Sequence, residues 1–333
     1  MDAVARIAHA VLYEGYLLWP YRRSALKNQR RFTFGGVHPA AFARREGDAS
    51  QVAFECLLQG GGAAEVDVEV RFLHLVDRRP ARLTPDGLEP VDELSCDGER
   101  HVAWQEATER TARVGPLLIG ELATSRSLGV EIAGGEDHEW LTGEDGRPIG
   151  AIRRSWQSLA GVLEARTMPL RPGLHRLAVR FANRSGWEGD ERSEALARTF
   201  LSAHVVARAR GAGFVSQTDP PPGLRPDAEA CVNQGLWPVL VGGEGDRHTM
   251  LAAPIILADH PAVAPESPGD LFDGCEIDAL LVHSIRALTD DERREMSATD
   301  PRTREILERS LALGPEQMAR LHGAVRELRP VEE

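Results

Sequence analysis

The sequence predicts a mainly β chain of the α+β kind, with antiparallel, sandwich-like sheets and a C-terminal segment of short amphipathic helices. Three observations carry this. Alternating apolar and polar residues recur through the first three quarters of the chain. Glycine and proline turns join those runs, with no long helix between them. After Asp270 the pattern changes to helix caps and a 3.6-residue apolar stripe.

In chain order, Ala40 to Arg45 fits a single helical turn. Gln51 to Gln59 alternates through Val52, Phe54, Cys56 and Leu58, and Glu65 to Leu75 through Val66, Val68, Val70 and Phe72. Gly60-Gly61-Gly62 lies between them, so the spacing predicts a β-hairpin over 51–75. A second hairpin is predicted from Val162 to Leu170 and Leu174 to Asn183 around Pro172-Gly173. Ser193 to Leu201 fits a short helix. Ser202 to Arg210 reads as a strand that Gly211-Ala212-Gly213 breaks. Val130 to Ile132, Val239 to Val241 and Leu251 to Leu257 read as shorter strands, and Pro220 to Gly223 as a loop. Gly242 to Asp246 is glycine-rich, but its acidic residues would repel phosphate, so it reads as a hairpin turn.

The C-terminal helices carry explicit start and stop signals. Asp273 with Glu276 fits a cap for a helix bearing Ile277, Leu280, Leu281 and Leu288. Thr289-Asp290-Asp291-Glu292 is a capping box, and Asp300-Pro301 places an N-cap before a proline at the first helical position. Gly314-Pro315 closes one helix and opens the next, which continues through Met318, Leu321, Val325 and Leu328. These shifts divide the chain into 1–125, 126–258 and 259–333.

Composition narrows the function classes. The 333 residues carry 51 acidic against 39 basic side chains, and Lys27 is the single lysine. A net charge of −12 argues against nucleic-acid binding, which needs a basic face to displace counterions. No window approaches the ~20 apolar residues of a membrane span. Met1 to Val4 lacks a secretory n-region, and Cys56, Cys96, Cys231 and Cys275 form no C-x-x-C pair. A reduced, cytoplasmic setting is expected. No G-x-S-x-G elbow, phosphate-binding glycine loop or Ser/His or Cys/His pattern assigns a catalytic residue, and no pattern calls for a cofactor.

Two segments stand out. Tyr13, Tyr16, Trp19 and Tyr21 run into Arg22, Arg23, Lys27, Arg30 and Arg31. Tyr, Trp and Arg are the residue types of interface hot spots, and a cationic cluster in an acidic protein suits a carboxylate or an acidic partner. Core packing with a solvated charged face is the alternative. The second segment, 259–278, concentrates His260, Glu266, Asp270, Asp273, Cys275, Glu276 and Asp278 among prolines. It reads as a helix-capping loop, a partner-binding arm or a carboxylate metal site.

The run from His260 to Asp278, followed by Leu288-Thr289-Asp290-Asp291-Glu292, resembles an uncharacterised accessory-protein family associated with [NiFe] hydrogenase gene clusters of aerobic bacteria. The shared pattern is A-P-E-S-P-G-D, then F-D, E-I-D and L-T-x-E-E, with departures at Cys275 and Asp291. It spans about a fifth of the chain. It implies a maturation or assembly role and designates no catalytic residue.

The expectation is therefore a non-enzymatic accessory or assembly protein that binds a protein partner, possessing no cofactor. Its candidate contact residues are Trp19, Tyr21, Arg22, Arg23, Arg30, Arg31, Glu266, Asp270 and Asp273. The resemblance implies a hydrogenase subunit or maturation factor as that partner. Two other classes stay open. One is a metal-assisted hydrolase or lyase with ligands drawn from distant strands. The other is a carbohydrate- or ligand-binding sandwich using Trp104, Trp140, Trp156 or Trp187 as stacking platforms.

Overall fold

Three short helices precede the first strand: α1 (Ala3–Tyr13), α2 (Leu26–Gln29) and α3 (Ala40–Glu46). The computed structural model describes residues 3–29, 31, 32, 34–262 and 278–321. β1 (Gln51–Thr84) then runs for 34 residues and organises everything after it. Next come β2 (Gly87–Pro90), β3 (Glu93–Cys96), β4 (Glu99–Val102), β5 (Trp104–Leu118) and β6 (Arg126–Ile132). Then follow β7 (Gly135–Thr142), β8 (Pro148–Trp156), β9 (Leu159–Arg171), β10 (Leu174–Asn183), α4 (Arg192–Leu196) and β11 (Leu201–Phe214). After α5 (Arg225–Glu229) come β12 (Trp237–Leu240) and β13 (Thr249–Ala253). The C-terminal helices are α6 (Asp278–Arg286), α7 (Asp290–Thr299), α8 (Pro301–Ala312) and α9 (Pro315–Arg320).

The chain is mainly antiparallel β. An 11-stranded sheet runs β12-β13-β11-β1-β10-β9-β6, with β2, β5 and β8 also on β1 and β7 on β8, and β3–β4 form a separate pair. Strands from both 51–118 and 126–253 hydrogen-bond within the large sheet.

The hairpin expected over 51–75 is not formed: Gly60 to Gly62 lie within one continuous strand. Both halves of β1 keep the same neighbour. Leu58 to Gly60 pair with Phe214 to Ala212, and Glu65 to Arg71 pair with Arg210 to His204. Residues 61–64 of β1 therefore stand opposite Gly211 alone, as an extended bulge. The glycine at 60 serves close approach rather than a turn, since a Cβ there would lie 2.4 Å from the Ala212 Cβ. The same pairing explains why Gly211 to Gly213 do not break β11. Gly211 takes φ +71, a left-handed conformation open to glycine, which lets β11 follow the bulge.

Before the bulge β1 belongs with β10 and β9; after it β1 lies between β11 and β5. Strands that switch layers at a bulge are how a sheet folds onto itself. The alternation survives the bulge, so Val52, Phe54, Cys56, Leu58, Val66, Val68, Val70 and Phe72 all enter one core. At its centre Phe72, Phe181 and Phe200 stack edge and face, with centroids 4.7–6.2 Å apart.

The opposite face of β11, β13 and β12 is covered by α1. Ala8 and Val11 pack on Val206, Val239, Leu251 and Ala253. Farther along, Leu12, Tyr13, Tyr16 and Leu17 lie between Leu73 and Leu75 of β1 and Leu281, Ile285, Met296, Ile306 and Leu307 of the C-terminal helices. The N-terminal segment is thus packed between the sheet and the C-terminal helices. No helix among the described residues is long and apolar enough to cross a membrane.

Candidate partner-binding groove

The segment after α1 is shaped by a single buried amide. Asn28 accepts from Leu18 N at 2.9 Å and donates to Leu18 O at 2.8 Å and Arg22 O at 3.1 Å. This closes the loop carrying Trp19, Tyr21 and Arg22. Tyr21 is fully buried, and Trp19, half-buried, meets it edge-on at 6.0 Å. Arg31 is buried as well. Its guanidinium lies 3.8 Å from the centre of the Trp104 ring and donates to Tyr16 O and Gln105 O.

A second set of contacts ties this segment to α8. Asp300, 2% exposed, caps α8 by accepting from Arg302 N and also accepts from the Tyr16 hydroxyl at 2.8 Å. The Arg302 guanidinium covers the Tyr13 ring at 4.0 Å and donates to its hydroxyl. Burial is the main reason both tyrosine hydroxyls are held above their usual pKa of 10.0. They stay protonated, so Tyr16 remains a donor to Asp300.

This clasp places α7 and α8 beside the β3–β4 hairpin, leaving a groove of about 820 Å3 between them, with Arg22 at one wall. Arg22 reaches Glu292 at 2.9 Å, and Ser24 N donates to Glu295 at 2.8 Å. Across the groove Arg100 pairs with Glu93 at 2.6 Å and Arg304 with Glu99 at 3.4 Å. The hydrogen bond from Arg100 holds the Glu93 carboxyl below the usual carboxylate range. Glu292 is lowered first by the backbone N–H of Thr289, the other half of the capping box. Carboxylates outnumber guanidinium groups along the walls, so the groove is negative overall with fixed positive points.

The capping box is formed as the sequence predicts, with Thr289 and Glu292 each accepting from the other's backbone. Thr289→Ala is expected to lower stability by about 1 kcal/mol, read as a shift in urea midpoint. A wild-type midpoint would show that tertiary packing alone fixes the start of α7.

Of the candidate contact residues, the structure brings Arg22 to the groove and Trp19 and Arg23 to the same loop. Arg23 is exposed and donates to Ala103 O at 3.0 Å. Tyr21 and Arg31 face the chain's own interior behind the loop. Arg30, Glu266, Asp270 and Asp273 lie outside the described residues, as does the Asp273–Glu276 cap. Sequence reasoning missed the opposite wall. Glu292 was visible as a cap but not as the partner of Arg22, and nothing local marks Glu93, Glu99, Arg100 or Arg304 as its neighbours.

Other candidate chemistry is dispersed. Burial pushes the Cys231 thiol up to about 11, so it is protonated at neutral pH. Among the described residues no group of three or more His, Cys, Asp or Glu is arranged to hold a metal ion. No protein-family model matches the chain, and no curated protein matches it either.

Proposed function

We propose that this chain is a non-enzymatic accessory or assembly protein that docks a protein partner in the groove beside Arg22 and Arg23. The carrying observation is the Trp19–Arg23 loop. It is braced from behind by Asn28, Tyr21 and Arg31 and sets Arg22 on the wall of a groove lined by charges of both signs. A braced aromatic–arginine loop costs little ordering entropy on binding, which favours a contact surface. The matching partner carries both charge signs, with a carboxylate placed to take over Arg22 from Glu292.

The resemblance at 260–292 supports a [NiFe] hydrogenase subunit or maturation factor as that partner, in a cytoplasmic setting. Within the described residues its L-T-x-E-E-like end is the cap of α7, the helix that carries Glu292 and Glu295 into the groove. The family pattern and the groove thus share an element.

The test is capture with tagged protein, read by mass spectrometry, against the double variant Arg22→Ala/Arg23→Ala. Hydrogenase subunits or maturation factors are expected in stoichiometric amounts with wild type and at least tenfold reduced with the variant. The Arg22–Glu292 pair is 23% and 29% exposed, and its removal is expected to cost about 1 kcal/mol of folding stability, which a urea unfolding curve of the variant checks beside the capture. Equal capture by both proteins would remove this surface from the reading, and capture of no hydrogenase-related protein would remove the proposed partner.

A further inference from the structure

β5 pairs with β1 alone, which leaves its other edge open. Register shows which residues face that edge. Ala209 N of β11 bonds His248 O on the side of β13, so His204 and Val206 turn their backbone groups to β1. Their partners Arg71 and Glu69 therefore bond β11, while Val70 and Phe72 bond β5 at Ala112 and Arg110. The odd-numbered residues of β5 then point their N–H and C=O outward. Gln105 agrees, since its carbonyl accepts from the Arg31 guanidinium outside the sheet. Among the described residues no group bonds the outward N–H or C=O of Glu109, Thr111 or Arg113, and Thr111 and Arg113 are exposed.

Charge is the usual protection of an open edge. Here the charges complement themselves. With a second copy turned antiparallel about a two-fold axis through Thr111, Glu109 stands opposite Arg113 of the second copy on both sides of the axis, and Thr111 stands opposite its own counterpart. Each facing pair exchanges two backbone hydrogen bonds. The Arg113 side chain is 52% exposed and that of Glu109 32%, and both are already oriented. Arg113 reaches Asp67 at 2.9 Å, and Glu109 meets His9 at 3.2 Å and Arg71 at 3.5 Å. The new pairs join these networks across the axis without stranding a charge. On the opposite face Ala112 and Val114 are only partly buried, at the rim of the main core. The same register lays Arg110 and Thr108 of the second copy against them.

Other registers lack this match. Axes at Glu109, Arg110 or Arg113 set like charges opposite each other, and axes at Ala107 or Ala112 bring no opposite charges together. An axis at Thr108 matches Glu106 with Arg110, but Arg78 and Arg154 hold Glu106, and Arg31 holds the Gln105 carbonyl that this register needs. β7 pairs with β8 alone, yet an axis at either of its central residues, His138 or Glu139, sets acid against acid, and Asp137 already accepts from the His138 N–H. We infer that the chain forms a two-fold dimer through β5, its large sheet continuing into that of a second copy. This edge shares no residue with the groove beside Arg22, so the inference does not rest on the groove.

Analytical ultracentrifugation of the full chain at low salt, from about 1 to about 100 μM, is expected to show a monomer–dimer equilibrium. Thr111→Pro removes the N–H of both central bonds and none that the monomer uses. Thr111→Glu sets two carboxylates together at the axis, while within the monomer it stands beside Arg71. Each should weaken the dimer at least tenfold, and Thr111→Glu carries the test if Thr111→Pro fails to fold. Oxidation should crosslink Thr111→Cys between copies, since facing Cα atoms lie about 5.5 Å apart, within disulfide range. Thr108→Cys should crosslink no more than wild type, because its two Cα atoms would be ~20 Å apart along the strands. A monomer at every concentration would overturn the inference. A dimer indifferent to both Thr111 substitutions, or crosslinked as readily at 108 as at 111, would overturn it equally.

Discussion

Acidification from pH 7 to pH 4 is expected to remove several kcal/mol of folding stability through two buried histidines. His74 and His204 are both fully buried within β1 and β11. His74 meets Gln157 O through Nε2 at 2.9 Å, and His204 meets Ser202 O through Nδ1 at 3.1 Å. Among the described residues the second ring nitrogen of each has no partner, so neither site is built for an imidazolium. Burial, reinforced by Arg110 near His74 and Arg71 near His204, depresses both from 6.5 to about 4. The unfolded chain takes up protons as pH falls through 6.5, whereas the folded chain does so only near 4. Stability present above 6.5 is therefore lost progressively down to 4, by ~3 kcal/mol for each histidine. Urea midpoints at pH 7, 5.5 and 4.5 should fall steeply, and His204→Leu should flatten the slope. A midpoint constant across that range would mean that both imidazoles are reached by water in the folded state. Below this range Glu109 takes over. A hydrogen bond from His9 leads the effects holding it at about 2, so its contribution is present above the usual carboxylate range and lost as pH falls toward 2.

Arg31→Ala is expected to destabilise the chain by about 3–5 kcal/mol, the cost of opening a buried, hydrogen-bonded cationic site. The substitution strands the carbonyls of Tyr16 and Gln105 and leaves a cavity between Trp104, Tyr16 and Phe32. Arg31→Lys should recover little, because an ammonium cannot stack flat on the indole while serving two carbonyls. The readout is thermal or urea unfolding. A change below about 0.5 kcal/mol, the range of ordinary surface substitutions, would show that Arg31 is not part of the clasp. Loss of this brace should also loosen the Trp19–Arg23 loop, lowering affinity for the proposed partner without touching a groove residue.

Local chemistry was legible in the sequence, and long-range pairing was not. The β9–β10 hairpin turns at Pro172-Gly173 because glycine accepts φ +73 there, and the C-terminal caps at Thr289 and Asp300 form from adjacent residues. Gly60 to Gly62 have the same composition as a turn, yet Ala212 and Gly211 on a distant strand decide that they form a bulge. α1 is legible in the same way, since Val4, Ile7, Ala8, Val11 and Leu12 fall at helical spacing, although the expected helices begin only at Ala40. The aromatic–arginine segment itself has two roles that composition cannot separate. Tyr16, Tyr21 and Arg31 hold the fold together, while Arg22 and Arg23 face outward. The groove was invisible because its walls come from residues 22, 93–100 and 291–308, which only the clasp brings together.

The most direct test of the central claim is calorimetric binding of the purified chain to purified [NiFe] hydrogenase subunits and maturation factors, at low and high salt. The account predicts saturable binding to one of them, weaker at high salt, and at least tenfold weaker with Arg22→Glu/Arg23→Glu. Trp156→Ala, at the end of β8 and outside the groove lining, should bind that partner as wild type does. Affinity unmoved by the charge reversal, or no binding to any of these proteins, would contradict it.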